Sequence, residues 1–524
     1  KDFDDAVEAH EDTAPDNEGG YIINIASAYT AEFMPVGSPM DRLAMEEPFT
    51  IYTNDGAVHM QAHCIANDYG SLNEGKRRPA IIARIRIDAE GNTLDYKFTR
   101  GIIKSNHRLT YAQVDKTFGA PPEFMEPHKQ SLINRLVSAY YTLKQRNERR
   151  GELEFLDNKI FPVLDEKGSV KGFTAEQDSM SRDLIKKFMI LFNETLGEHL
   201  AQAGIPFIGR TQEPPEKDMI ERARRKLQHL GIDTPECEDW TNHTMNEILA
   251  SVEHDEFLRI NAEHILLVAM KPAEYALSGE GHFGMGLRCS AQATSSIRRY
   301  ADIINQRALG RAEGWYDGPL IENENNKTFE LTISNLNQAE PDAESIQRNA
   351  LYKQGIAYLS HFQGQAVIAE IVNPSIKNGL TVRIHGCPLL FDIPLSSLPT
   401  GPYLETSDKR GIYNERTETA YTSGQSLPIT INKANPVTST IEIGITGYDK
   451  PTLSMAQPVK QKSYTKSKNT PKSPKLKAIH CDATILSAST KHGLKLRIED
   501  PDNPCEYTCP ISMMENSSYQ QRGA

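Results

Sequence analysis

Residues 282–309 read "HFGMGLRCSAQATSSIRRYADIINQRAL", and the second half of this stretch decides the fold. Ile297, Ala301, Ile304 and Ala308 recur at three- and four-residue steps, which predicts a helix over 295–309 burying one apolar stripe. Arg298, Asp302 and Asn305 fall at steps of four and three, so they share a second face. An Arg298–Arg299 pair at a helix start suits a phosphate, because free N–H groups and the helix dipole favour anions and guanidinium grips phosphate with two parallel hydrogen bonds. A second stretch, "KDFDDAV" (1–7), crowds Asp2, Asp4 and Asp5 within four positions. Read alone, it is either a solvated turn or a site for a hard cation, which is held by one or two carboxylates plus waters and substrate phosphates.

Outward from these two stretches, the chain of 524 residues is too long for one core and implies two to four domains. No run approaches the roughly 18 apolar residues that a membrane helix needs, so no membrane role is expected. Seven cysteines, mostly far apart, argue for a reducing compartment over a disulfide framework. Cys505 and Cys509 with Cys481 and His480 have no tight zinc-ligand spacing. A net charge of −12 excludes a protein that coats nucleic acid non-specifically, but not a local basic channel. The first residue is not Met and reads as an internal start.

The first hundred residues alternate like strands, as in "YIINIASAY" (21–29) and "PAIIARIRI" (79–87). Leu132, Leu136, Tyr140 and Leu143 then announce a helix ending at "KQRNERRG", and 181–204 a second, stopped by Gly204. Sheet first and helices afterwards reads as α+β. After about residue 360 the texture is all-β, and "AVIAEIVNPSIKNGLTVRI…FDIPLSSL" (366–398) resembles "DATILSASTKHGLKLRI…EYTCPISMM" (482–514), so two copies of one small barrel module are expected. The Lys-, Ser- and Pro-rich stretch 450–477 between them reads as a flexible linker, with a phosphate-attracting arm as the alternative. The expected division is 1–309 catalytic, 310–360 helical extension, 361–449 barrel, 450–479 basic linker and 480–524 partial second barrel.

Taken together, 282–309 and "KDFDDAV" resemble the ribonuclease II and R (RNB) family of exoribonucleases. Further ordered matches are "IASAY…GSPMDRLA" (25–44), "GSLNEGKRRPA" (70–80), "KSNHRLTYAQV" (104–114) and "FPVLDEKGSV" (161–170). The resemblance covers residues 1 to about 360 and implies an RNB-type catalytic domain followed by an RNA-binding OB-fold. It implies that Asp2, Asp4 and Asp5 hold Mg²⁺, or Mn²⁺ in its place, with a further Asp upstream of residue 1. Asp4, Asp5 and Arg298 are then catalytic, Arg298 contacting the scissile phosphate. Tyr52, Tyr111, Phe161, Arg299 and Glu344 are expected to bind the RNA end.

The implied activity is two-metal, 3′ to 5′ hydrolysis of single-stranded RNA to nucleoside 5′-monophosphates by a cytoplasmic or organellar monomer. Departures from the family pattern are Ser296 for Pro, Ala293 for an aromatic, Gln306 for His, Ser27 for Asp, and Lys186 and Lys187 for an acidic pair. Loss of the Pro is expected to loosen the turn before Arg298, and the lysines to remove a contact to the terminal nucleotide. A catalytically weakened RNA-binding or regulatory protein on the same fold is therefore the alternative, and a DNA nuclease a third reading.

Overall fold

Four antiparallel strands, β1 (Asp5–Glu11), β2 (Tyr21–Ala28), β3 (Arg77–Ile87) and β4 (Thr93–Lys104), pair in chain order. The computed structural model describes residues 2–53, 56–117, 126–155, 159–166, 168–176, 179–407, 409–447, 483–489, 493–498 and 505–509. Strand alternation puts Ile23 and Ile25 of β2 beside Ile81, Ile85 and Ile87 of β3 on one buried face. Helices α1 (Pro127–Arg149) and α2 (Met180–Gln202) contribute to the same core through Leu136, Tyr140, Leu143, Phe188, Phe192 and Leu196. Among the described residues, no helix is long and apolar enough to cross a membrane.

The helix expected at 295–309 is α3, but it runs from Tyr300 to Ala312. The Asp302 side chain captures the Ser295 N–H at 2.7 Å, and the N–H groups of Arg298 and Arg299 both turn back to the Ser295 carbonyl at 3.0 Å. Those bonds close a tight turn, so Arg298 precedes the helix and Arg299 is its extended N-cap. The second, polar face of α3 is buried as well. Every residue from Tyr300 to Gly310 is buried, with Asn305 spent on the backbone of Ile208 and Gln292. A polar helix can be interior only when its polar groups are satisfied in this way.

Three further helices, Lys217–His229, Asn242–Ser251 and Glu256–Ala269, form a satellite core around Leu227, Trp240, Met245 and Leu266. A long helix, α4 (Asn326–Ser360), follows, capped where the Asn325 side chain accepts the Thr328 N–H at 3.1 Å. Its last turns give Ile356 and Leu359 to the core of a β-barrel. The barrel strands are β5 (Ala366–Ser375), β6 (Gly379–Ile384), β7 (Cys387–Ile393), β8 (Ser426–Asn435) and β9 (Thr440–Ile445), in the order β7-β6-β5-β8-β9. The edge strands β7 and β9 come back against each other, as an OB-type barrel requires. The architecture is α+β, with the barrel strands following the helical part.

The chain divides into two compact units, Lys1–Pro451 and Thr452–Ala524. In the second, strands Ala483–Ser489, Gly493–Ile498 and Cys505–Cys509 form a meander. Its register repeats that of β5–β7: Ser489 faces Gly493 as Ser375 faces Gly379, and a bulge at Ile485/Ser487 matches the one at Ile371/Asn373. At Gly379 glycine is required, since at φ +99° a Cβ there would sit 2.1 Å from the Ile393 carbonyl oxygen. The linker 450–477, His480, Cys481, Pro510 and Ser512 lie outside the described residues.

Candidate active site

The first acidic residues are pinned by backbone bonds before any side chain matters. Phe3 donates its N–H to Ser71 Oγ at 2.9 Å and accepts from Leu72 N at 2.9 Å, so "GSLNEG" holds one edge of the segment. On the other edge Ala28 N–H reaches the Asp4 carbonyl at 2.8 Å, and Asp5 pairs with Ser27 at the end of β2. Asp4 and Asp5 are thereby fixed at the mouth of the sheet.

Arg298 arrives from the turn before α3. Its Nε lies 3.8 Å from Asp4 Oδ2 and its Nη2 donates to Ser295 Oγ at 2.9 Å. Residues almost three hundred positions apart thus meet, and the Arg298 side chain remains 42% exposed, with donors left for a ligand. Asp41, in "GSPMDRLA", anchors α3 from below by accepting from Arg307 at 2.6 Å and Tyr300 at 2.9 Å.

Ser296 does not loosen the turn before Arg298, contrary to expectation. Ser296 Oγ donates to the Ala28 carbonyl at 2.7 Å, while the Ser296 carbonyl accepts from Gln61 at 2.5 Å and Thr30 at 3.0 Å. Gln306 donates to the same Ala28 carbonyl at 2.7 Å, and Ser27 Oγ to the Ala293 carbonyl at 2.9 Å. Three departures from the family pattern, Ser27, Ser296 and Gln306, therefore belong to one buried network tying β2 to the Arg298 loop. Hydrogen bonding replaces what a proline ring would otherwise restrict.

Tyr52 reaches the site because its strand starts against Arg298: Thr50 N–H bonds the Arg298 carbonyl at 3.0 Å. The Tyr52 hydroxyl donates to Asp2, and its N–H bonds Gln347 of α4 at 3.2 Å. Glu344 lies one helical step from Gln347, exposed. Tyr111 opens the helix Tyr111–Thr117 under the Arg182 guanidinium, 4.5 Å from its ring centre. A cleft of about 710 Å³ includes both Asp5 and Tyr111 in its lining. Phe161 stands apart on the hairpin formed by Lys159–Leu164 and Val170–Glu176, 40% exposed. Arg299 turns inward onto Asp302 at 2.8 Å, so it acts on the field of the acids and does not face the open cleft.

The two lysines that stand in place of the acidic pair have different surroundings. Lys187 is fully buried, held by Glu152 at 2.9 Å, Glu154 at 2.7 Å and Asp183 at 3.6 Å in an internal charge cluster. Lys186 is exposed. The i,i+4 spacing of Asp183 and Lys187 in "DLIKKF" offers one partner, but the two nearer acids, Glu152 and Glu154, are more than thirty residues upstream and leave no local signal.

Burial raises the Asp4 carboxyl to about 6, opposed by Arg298 and reinforced by Asp2. Asp5 is pushed well above the carboxylate range by burial and then by Asp4. Burial, with the hydrogen bond to Asp2, also raises Tyr52. Asp4 Oδ1 and Asp5 Oδ1 are buried without a hydrogen-bond partner. Two desolvated carboxylates with orphaned oxygens suit a hard cation. Among the described residues no three His, Cys, Asp or Glu side chains gather to hold an ion by themselves, so water and substrate oxygens have to complete any shell.

Comparison with known proteins follows the same outline. The family model described as "RNB domain" matches residues 1–313. Ribonuclease R of Thermotoga maritima is 27% identical over 79% of this chain, which covers 57% of that protein. The structure titled "Mycoplasma genitalium RNase R in complex with ribose methylated single-stranded RNA" has a TM-score of 0.72 at 19% identity, over 85% of this chain and 69% of that one. "Structure of yeast Ssd1, a pseudonuclease" has a TM-score of 0.61 at 16% identity, over 78% of this chain and 50% of that one. With that model matched from the acidic segment through the Arg298 turn, over more than half of the residues, the chain belongs to the RNB domain family.

Proposed function

We propose that the chain is a Mg²⁺-dependent 3′ to 5′ exoribonuclease that hydrolyses single-stranded RNA to nucleoside 5′-monophosphates. The observation that carries this reading is the meeting of Asp4 and Arg298 at 3.8 Å beside the orphaned oxygens of Asp4 and Asp5. Asp2, Asp4 and Asp5 are the residues to hold Mg²⁺, which supplies a water of lowered pKa and stabilises charge on the reacting phosphate. Arg298 places guanidinium donors on the phosphate oxygens where charge develops, and losing one such donor costs about 10²–10³ in rate. The Tyr52 hydroxyl orients Asp2, and Tyr111 offers a ring on which a base can stack without being read. The barrel of 361–449 grips the strand upstream, and one chain supplies every group named.

Ribonuclease R is the printed name of the T. maritima relative, and RNA is bound in the M. genitalium structure, which supports the substrate class. The alternative, RNA binding without hydrolysis, draws on the neighbour titled a pseudonuclease. A 5′-labelled single-stranded RNA separates the two. Stepwise shortening with Mg²⁺, mononucleotide products and loss of both in Asp4→Asn are expected, and full activity in that variant rejects the assigned centre.

A further inference from the structure

Arg108 stands over the ring of Phe3, its guanidinium carbon 4.8 Å from the ring centre, and Phe3 lies between Asp2 and Asp4. The side chain is exposed, and among the described residues it makes no hydrogen bond or ion pair. Neither Asp4 nor Asp5 takes its principal charge interactions from Arg108; those come from Arg298, Arg299, Asp302 and the acids themselves. Stacking on an aromatic face fixes a guanidinium without spending its N–H donors, which project along the plane of the group and match phosphate oxygens. The loop that carries it lines the cleft that includes Asp5 through His107 and Leu109, between Lys104 at the end of β4 and Tyr111 at the start of the next helix, while Arg108 itself stands over the Phe3 ring beside that lining.

We propose that Arg108 binds a backbone phosphate of the RNA upstream of the scissile one. This rests on the exoribonuclease reading: when a single nucleotide leaves from the 3′ end, the scissile phosphate is the last internucleotide phosphate, so any other linkage that is gripped lies upstream. Arg298 faces Asp4 and serves the scissile phosphate, while Arg108, on the Phe3 ring, serves another. An acidic chain needs such local cations to hold a polyanion.

The test measures binding of a 5′-fluorescein single-stranded oligoribonucleotide by anisotropy, in the Asp4→Asn background to prevent turnover, across a series of KCl concentrations. Adding Arg108→Ala is expected to weaken binding about tenfold. It should also lower the slope of log K against log[salt] by about 0.7, the loss of one phosphate contact to a single strand. Arg108→Lys should restore the slope. An uncharged methylphosphonate scanned through the three linkages upstream of the scissile one should cancel the effect of Arg108→Ala at one of them. An unchanged slope, or full additivity at all three linkages, overturns the assignment. So does altered Mn²⁺ affinity of Arg108→Ala with no change in slope, which marks a residue that merely props Phe3. Absence of RNA binding by Asp4→Asn itself rejects the exoribonuclease reading and Arg108 with it, whereas RNA binding with a wild-type slope in the double variant rejects Arg108 alone.

Discussion

Replacing Asp4 by Asn should stabilise the metal-free protein while abolishing its activity. Burial lifts the Asp4 carboxyl from 3.8 to about 6, so the folded state holds this proton more tightly than the unfolded chain does. Each tenfold difference in proton affinity is worth about 1.4 kcal/mol, which makes the cost of ionising folded Asp4 about 3 kcal/mol. Because the folded pKa is the higher one, stability is lost as pH rises from about 4 to about 6, and the full penalty persists above that window. Asn cannot ionise, so in EDTA at pH 8 Asp4→Asn should exceed wild type by up to about 3 kcal/mol in urea denaturation, and the gap should close towards pH 4. Asp5, raised partly by Asp4, moves the difference in the same direction. Mg²⁺ should stabilise wild type more than the variant, by mass action on the folded state. A variant less stable than wild type at pH 8 in EDTA would refute the claim that folding strands a carboxylate there for a cation.

Lys187→Ala strips the counter-charge from buried Glu152 and from Glu154, and should cost about 3–5 kcal/mol in denaturant unfolding. Ser296→Ala removes the bond to Ala28 that steadies the Arg298 turn, so kcat on RNA should fall several-fold with KM unchanged, whereas Ser296→Pro should recover most of it. Tyr52→Phe deletes the hydroxyl that orients Asp2 but keeps a stacking ring, and titration calorimetry should show weakened Mn²⁺ binding with RNA affinity retained. Gly379→Ala forces a Cβ against the Ile393 carbonyl at positive φ and should destabilise the barrel by at least about 1 kcal/mol in urea unfolding.

Strand alternation made β2 and β3 legible, and helical periodicity made α1 and α2 legible, because each buries one regular face. The repeated strand pattern was legible from Gly379, Leu380 and Arg383, whose counterparts keep the same register in a three-stranded meander. What periodicity misread was α3. Its apolar stripe is real, but its polar face is equally buried, and the turn at Ser295 depends on Asp302 capturing a backbone N–H seven residues away. Lys187 was only partly legible for a related reason: Asp183 sits one helical turn before it, but Glu152 and Glu154 come from a different segment of the chain. The helices Lys217–His229, Asn242–Ser251 and Glu256–Ala269 were missed, although their amphipathic spacing around Leu227, Met245 and Leu266 offered a signal. At the site, the acidic run and Arg298 were visible as residue types, but the Ser27, Ser296, Gln306 network was not. Such hydrogen bonds join residues more than two hundred positions apart and leave no spacing to read.

The most direct measurement is a double-mutant cycle in single-turnover cleavage of 5′-labelled RNA, comparing wild type, Asp4→Asn, Arg298→Ala and the double variant. If both side chains act on one phosphate, each single variant should lose at least about 10² in rate, and the double should be little slower than the worse single. Independent, multiplying losses, or a wild-type rate in Arg298→Ala, would contradict the shared centre.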